Sequence, residues 1–349
     1  MYEIVPLSEL TGKLSAQLPA SVPPPRFAQA SFEGYRPAHS SQHEACQEVR
    51  EFVKEVSTPK RFRSWPWGKI ETGKGLYLDG GYGVGKTHLL AASFHAMPGS
   101  QKAYITFQEL VHLIGVNAMA PAKVRLTEVS LLCLDEFELD DPGNTLIVKR
   151  FLEQIFAGGG SVMTTSNTPP AAQGSGRFNA QDFRREIQGI AGRFRAISLQ
   201  GGDYRKREQP SRLLEVNVFE RQLQDARRRT AVVLTDFPEL LAVLRSLHPI
   251  HYRDLLSRMG TLFISNLQQI AQQNDALRFV HFIDQLYDQG VGLRVSGEVS
   301  LDDTFDPSYR HSAYQRKHER CISRLAELLE EPLAQQQPRQ MERAQGFDR

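Results

Sequence analysis

Residues 80–87 read Gly80-Gly81-Tyr82-Gly83-Val84-Gly85-Lys86-Thr87, and the apolar run Leu76-Tyr77-Leu78 leads straight into them. The spacing is G-x-x-x-x-G-K-[ST]. It predicts a buried strand, a glycine-rich turn whose backbone N–H groups point inward, and a helix opening at Lys86. A polyphosphate would then meet amide donors and the positive end of a helix together. Glycine at 80, 83 and 85 lets the main chain approach the phosphates. Lys86 would reach the β and γ oxygens, and the Thr87 hydroxyl would hold Mg2+. The expected nucleotide-contacting set is Gly80, Gly81, Tyr82, Gly83, Val84, Gly85, Lys86, Thr87 and His88, with ATP and Mg2+ as the ligands.

The run Val129-Ser130-Leu131-Leu132-Cys133-Leu134 is apolar nearly throughout, as a strand buried on both faces of a parallel sheet should be, and it ends in Asp135-Glu136. This is the pattern of a Walker B strand. Asp135 would join Thr87 in binding Mg2+, and Glu136 would orient and deprotonate the attacking water. A third short strand pattern, 161–166, ends in the amide of Asn167 rather than in a charge. Asn167 fits a sensor that hydrogen-bonds the γ-phosphate or the lytic water, although Asn167-Thr168-Pro169-Pro170 also suits a turn. NTPases with such a polar residue place its strand between the phosphate-loop strand and the Walker B strand. AAA+ proteins belong to that additional-strand layout.

Forty per cent of the 349 residues are hydrophobic and 23% charged, the profile of a globular chain of about two domains. No apolar stretch approaches the ~20 residues needed to span a bilayer. The opening Met1-Tyr2-Glu3-Ile4-Val5-Pro6 has neither a secretory nor a mitochondrial pattern, so the expected location is the bacterial cytoplasm. Cys46, Cys133 and Cys321 lie far apart and read as reduced thiols without metal spacing. A net charge of +2 does not by itself argue for nucleic acid. The basic run Arg205, Lys206, Arg207, Arg212, Arg221, Arg227, Arg228 and Arg229 is interrupted by acids and lacks interleaved aromatics, which suits a solvated helix face better than a stacking platform. His248, His251 and Asp254 are close in sequence, but histidines so placed more often cap or pack than bind metal.

The expected organisation is a proline-rich N-terminal extension over 1–70, an ATPase core over 71–205, a C-terminal α/β or helical lid domain over 206–334 and a mobile polar tail over 335–349. Within the extension, 44–56 reads as a short amphipathic helix, and Tyr35 and Arg36 could lie over the adenine or simply anchor the segment. In the core, strand and helix alternate at 75–79, 86–97, 102–106, 107–116, 129–135, 145–156, 161–166, 180–193 and 196–199. Such alternation implies an α/β parallel sheet of P-loop NTPase type. Beyond it come apolar runs at 232–234 and 262–264, a helical pattern at 275–288 and a strand pattern at 291–295.

The phosphate loop, Leu131-Leu132-Cys133-Leu134-Asp135-Glu136-Phe137, Thr165-Ser166-Asn167 and Gly202-Asp203-Tyr204-Arg205 together resemble the AFG-type ATPases of the AAA+ class. Pro23-Pro24-Pro25-Arg26-Phe27, Leu277-Arg278-Phe279, Ile283-Asp284-Gln285-Leu286-Tyr287-Asp288 and Ser323-Arg324-Leu325 extend the resemblance over nearly the whole chain. Where the family carries a His-Phe-His-like segment, this chain has Ala103-Tyr104-Ile105-Thr106-Phe107-Gln108-Glu109, and the stretch from Tyr204 to Phe237 is shorter than in the family. The resemblance implies a head-to-tail ring, a hexamer, in which a neighbour's arginine stabilises the transferring phosphoryl group, an effect worth ~10³–10⁵ in rate. Of Arg184, Arg185, Arg193 and Arg195, the resemblance selects Arg193 as this finger. It offers Arg278 as a second sensor acting in cis, against an ion pair with Asp275 or Asp284. It further implies a protein client at the bacterial division apparatus, the tubulin-like division protein. A DNA-associated ATPase such as a helicase loader is the alternative, and no helix-turn-helix or zinc finger supports it. An adaptor using ATP only as a switch would not need Glu136.

Overall fold

The computed structural model describes residues 2–12, 21–58, 72–116, 126–139, 142–173, 184–201, 213–311 and 314–332. Trp65-Pro66-Trp67, the Gly202–Arg205 step, the basic residues at 205–212 and the tail at 335–349 lie outside them. In chain order the elements are β1 (Ile4–Pro6), α1 (Leu7–Thr11), α2 (Ser40–Ser57), β2 (Gly75–Gly80), α3 (Lys86–Ala96), β3 (Lys102–Thr106), α4 (Phe107–Val116), β4 (Leu131–Asp135), α5 (Pro142–Ala157), β5 (Ser161–Ser166), α6 (Arg184–Ala191) and β6 (Phe194–Leu199). They continue as α7 (Val216–Ala226), β7 (Val232–Asp236), α8 (Phe237–Ser246), α9 (Tyr252–Ser257), β8 (Thr261–Leu267), α10 (Gln273–Gln289), β9 (Gly292–Gly297) and α11 (Gln315–Glu330). No helix among the described residues is long and apolar enough to cross a membrane.

Two compact units result, Ala20–Tyr204 and Met1–Pro19 with Arg205–Arg349. In the first, five parallel strands run in the order β3-β4-β5-β2-β6. β5 lies between the phosphate-loop strand and the Walker B strand, as the additional-strand reading requires: Tyr77 is level with Thr164, and Leu134 with Thr164 on the other side. β4 and β5 are buried along their whole length; β4 reads as an apolar run, whereas β5 buries Ser161, Thr164, Thr165 and Ser166, of which Thr164 O–H donates to Leu134 O. One face of the sheet packs Leu76, Leu78, Cys133 and Met163 against Leu90 and Phe94 of α3 and Val49 and Phe52 of α2. On the other, Tyr77, Phe137 and Phe194 meet edge-on or tilted, with ring centroids 6.1–6.4 Å apart.

The second unit is also α/β rather than purely helical. Its four parallel strands run β1-β7-β8-β9, with α8, α9, α10 and α11 contributing to one large core and α7 packing Phe219 and Leu223 near Val232 and Phe263 in a smaller one. A buried ion cluster ties α10 to α11: Asp284 accepts from Arg320 and Arg324, and the Arg324 guanidinium stands 5.0 Å over the Tyr287 ring. The blocks at 283–288 and 323–325 that carried the resemblance are therefore in contact.

The expected single extension over 1–70 is divided between the units. Ile4, Val5 and Pro6 pair with Val232, Val233 and Leu234 as an edge strand of the C-terminal sheet, whereas 21–58 packs on the first unit. Its helix runs Ser40–Ser57, longer than the 44–56 pattern, because the His39 imidazole accepts from Ser41 N and the Gln42 side chain accepts from His39 N, capping it four residues earlier.

Candidate functional site

At the carboxyl end of β2 the chain turns through Gly80, Gly83 and Gly85, with φ of 149°, 71° and 89°. Only glycine fits at 85. Besides the left-handed backbone, a Cβ there would lie 2.5 Å from the Tyr35 ring. Tyr35 O–H donates to Val84 O at 2.9 Å and His88 Nε2 bonds Ser31 O at 2.8 Å, so the N-terminal segment straps the phosphate loop from outside. Arg36 bonds Glu33 O and Tyr35 O, holding its own turn. Both residues anchor the segment.

Lys86, the first residue of α3, is buried and donates to Gly80 O at 2.8 Å, Gly81 O at 2.6 Å and Asn167 Oδ1 at 3.0 Å. The sheet order thus brings the phosphate-loop lysine and the amide at the end of β5 together. Next to them, the Thr87 hydroxyl lies 3.4 Å from Asp135 Oδ1. A hydroxyl and a carboxylate converging at the head of a helix form a hard oxygen donor set that fits Mg2+, and the glycine turn with the α3 N-terminus fits a polyphosphate.

Asp135 is held by groups the sequence did not disclose. Tyr104 O–H, from the neighbouring β3, donates to Asp135 Oδ2 at 2.6 Å, and the Thr165 hydroxyl donates to Oδ1. Burial pushes the Asp135 carboxyl up from its ordinary range and the Glu136 charge adds to this, while the two hydroxyl bonds and Glu136 N–H oppose it. A divalent cation here would favour the ionised form. Asp79, at the end of β2, is likewise raised by burial, opposed by the Ser198 hydroxyl at 2.7 Å and by the Lys86 charge.

Glu136 has a φ of 54°, rare for a residue with a side chain. The conformation is imposed: its N–H is directed at Asp135 Oδ1 and Thr165 Oγ1, both at 3.1 Å, and Phe137 N bonds Thr165 O at 2.8 Å. Such strain is characteristic of functional positions. Phosphate loop, paired acids and amide therefore meet at one edge of one sheet. The AFG1-like ATPase model matches residues 15–214 and 207–337. The chain belongs to the AFG1-like ATPase family.

Among curated proteins it is similar to the cell division protein ZapE of Escherichia coli strain K12, 25% identical over 366 residues that span 88% of this chain and 96% of that protein. It is also similar to the uncharacterized protein C115.02c of Schizosaccharomyces pombe, 25% identical over 331 residues spanning 73% and 72%. Among solved structures, the DnaC helicase loader matches 50% of this chain and 99% of its own at 19% identity, with a TM-score of 0.37, too partial a likeness to argue from.

In this AFG1-like chain Arg193 falls away from the phosphate loop of its own unit. Arg193 is exposed at the amino end of β6, where Phe194 is level with Gly75; Gly80 lies five residues further along, about 17 Å. A cleft of about 790 Å3 opens at that end between α2 and β6. Of the cations there, Lys74 pairs with Glu55 and Arg195 with Glu48, while Arg193 has no carboxylate partner among the described residues.

Arg278 donates to Leu244 O at 2.7 Å and Leu247 O at 2.9 Å, capping the carboxyl end of α8. This corrects both ion pairs considered from sequence, since Asp275 is held by Arg245 at 2.6–2.9 Å and Asp284 by the α11 arginines. His248 Nδ1 accepts from Ile250 N and Asp254 pairs with Arg258. Arg228 pairs with Asp225 on the exposed side of α7, as a solvated face would, whereas Arg227, the C-cap of that helix, is half-buried and bonds Gln224.

Proposed function

We propose that this protein hydrolyses ATP with Mg2+ and couples turnover to remodelling of a protein client. The observation that carries the reading is the convergence of Lys86, Thr87, Asp135, Glu136 and Asn167 at the carboxyl edge of the additional-strand sheet. Thr87 and Asp135 would hold Mg2+, which would supply neutralisation of charge on the phosphoryl oxygens. The turn at 80–85 and Lys86 cradle the β and γ phosphates, and His88 faces the N-terminal strap. Asn167 exchanges its bond with Lys86 for one to the γ-phosphate or the lytic water. Glu136, aimed by its constrained backbone, orients that water and takes its proton.

Arg193 serves the neighbouring subunit of a head-to-tail ring, a hexamer. Its distance from its own phosphate loop and its lack of a carboxylate partner among the described residues support this role. Arg278 would have to leave two helix-end carbonyls to act as a sensor in cis. By similarity to ZapE, the client belongs to the bacterial division apparatus in the cytoplasm, with the tubulin-like division protein first to be tested. ATP turnover measured against protein concentration, with and without that protein and with and without DNA, tests the whole reading. Steep concentration dependence and stimulation by the division protein are expected; stimulation by DNA alone would move the protein to the helicase-loader class.

A further inference from the structure

Gln173 is 7% exposed and stands just beyond the turn that follows β5. Its carboxamide spans the two segments that carry Glu136 and Asn167. Oε1 accepts from Leu139 N at 2.9 Å, and Nε2 is 3.1 Å from Phe137 O, so both groups on the Glu136 side are main-chain atoms of the loop leaving β4. On the Asn167 side, Nε2 lies 2.9 Å from Ser166 Oγ and 3.4 Å from Thr168 O, which are the two sequence neighbours of Asn167. Nε2 also lies 2.6 Å from Tyr77 Oη, and Tyr77 O–H donates to Thr168 O at 2.7 Å, tying in the strand that enters the phosphate loop. The amide orientation is fixed by its surroundings: reversed, the oxygen would face the Phe137 and Thr168 carbonyls and the NH2 group would face Leu139 N–H.

We infer that Gln173 is a positioning residue for ATP hydrolysis, a latch whose carboxamide holds the Glu136 loop and the Asn167 turn at one fixed spacing against the phosphate-loop strand. The inference rests on the hydrolytic reading above. The sheet ladder places the backbone up to residue 166, but Asn167 follows the last paired position of β5 and Glu136 the last of β4. Past the strand ends, one main-chain bond, Phe137 N to Thr165 O, holds the Glu136 loop to β5, and side-chain bonds set the position of the Asn167 turn against it. A base and a γ-phosphate sensor act on the same water, so a change in their spacing affects the chemical step more than nucleotide binding, which depends on the turn at 80–85 and on Lys86.

The test compares kcat for ATP hydrolysis and the affinity for a fluorescent ATP analogue in wild type, Gln173→Met, Asn167→Ala and the double variant. Gln173→Met keeps the volume and removes both hydrogen-bonding functions. It should lower kcat roughly 10- to 100-fold with affinity changed by less than about threefold, and it should cost little more once Asn167 is gone. An unchanged kcat, a parallel loss of affinity, or losses that multiply in the double variant would each overturn the latch. Should Gln173→Met not fold, Tyr77→Phe, which deletes the hydroxyl shared by Gln173 and Thr168, is judged by the same criteria. Failure of the underlying reading looks different: the wild type itself would not hydrolyse ATP, or Lys86→Ala would hydrolyse it as fast.

Discussion

Glu136 keeps its φ of 54° through bonds to its own amide, so glutamine at that position inherits the backbone and loses only the base. Glu136→Gln should therefore bind ATP normally while kcat falls ~10²–10⁴-fold, and single-turnover experiments should show uncleaved ATP on the protein. Lys86→Ala should differ in kind, losing binding by roughly 100-fold or more because a charge-assisted contact to phosphate disappears. Equal turnover in wild type and Glu136→Gln would remove the Walker B role. A second residue makes a pH prediction. His318 is buried, stacked 4.6 Å from Phe305, and neither ring nitrogen has a hydrogen-bond partner among the described residues. Burial holds its pKa below the ordinary 6.5, so the unfolded chain takes up a proton at a pH where the folded chain does not. The stability it allows is present above about 6.5 and is lost as pH falls below it, with a slope of at most ~1.4 kcal/mol per pH unit. Denaturant melts at pH 5–7 should show a shallower slope in His318→Leu than in wild type; identical slopes would exclude His318 as the source. Lys86, Thr87, Asp135, Glu136 and Asn167 were legible because their motifs are contiguous with strands and turns. Tyr104, Thr165 and Gln173 were not, since an isolated polar residue does not reveal which strand will lie beside it.

At the scale of elements, 76–78 and 131–134 announced themselves as apolar runs, and Ser161–Ser166 was placed residue for residue. The edge strand β1 did not. Three residues give no periodicity, and the partner at Val232–Leu234 comes from the far half of the chain. What locks β1 in place is α1, whose Leu7 is fully buried and whose Leu10 is nearly so in the large core with Val233, Phe237 and Leu240. Leu7→Ala should cost about 2–5 kcal/mol. The effect should be local: amide exchange should accelerate in β7 and β8, while protection of α3 and ATP affinity stay at wild-type values. Equal acceleration in α3 would mean that the two units unfold as one. The helices at the C-terminal end were harder to read for a similar reason. Arg320 and Arg324 look like surface charge until Asp284, on another helix, is seen to bury them.

For the whole molecule, the decisive feature is that Arg193 and the phosphate loop occupy opposite ends of the sheet. A residue there cannot help its own nucleotide, and a head-to-tail ring would bring it to a neighbour's. Arg193→Ala should bind ATP as wild type does when the protein is dilute, yet turn over at least roughly 10³-fold more slowly when assembled. Its melting temperature should not change, because the side chain is exposed and without a carboxylate partner among the described residues. Mixing separates a shared site from a private one. Arg193→Ala subunits combined with Lys86→Ala subunits create interfaces in which an intact phosphate loop, from the first, faces an intact Arg193, from the second. Part of the activity should return on mixing two inactive proteins, and it should rise with total concentration. No recovery, together with a lowered melting temperature for Arg193→Ala alone, would assign Arg193 to the fold and pass the finger to Arg184 or Arg185.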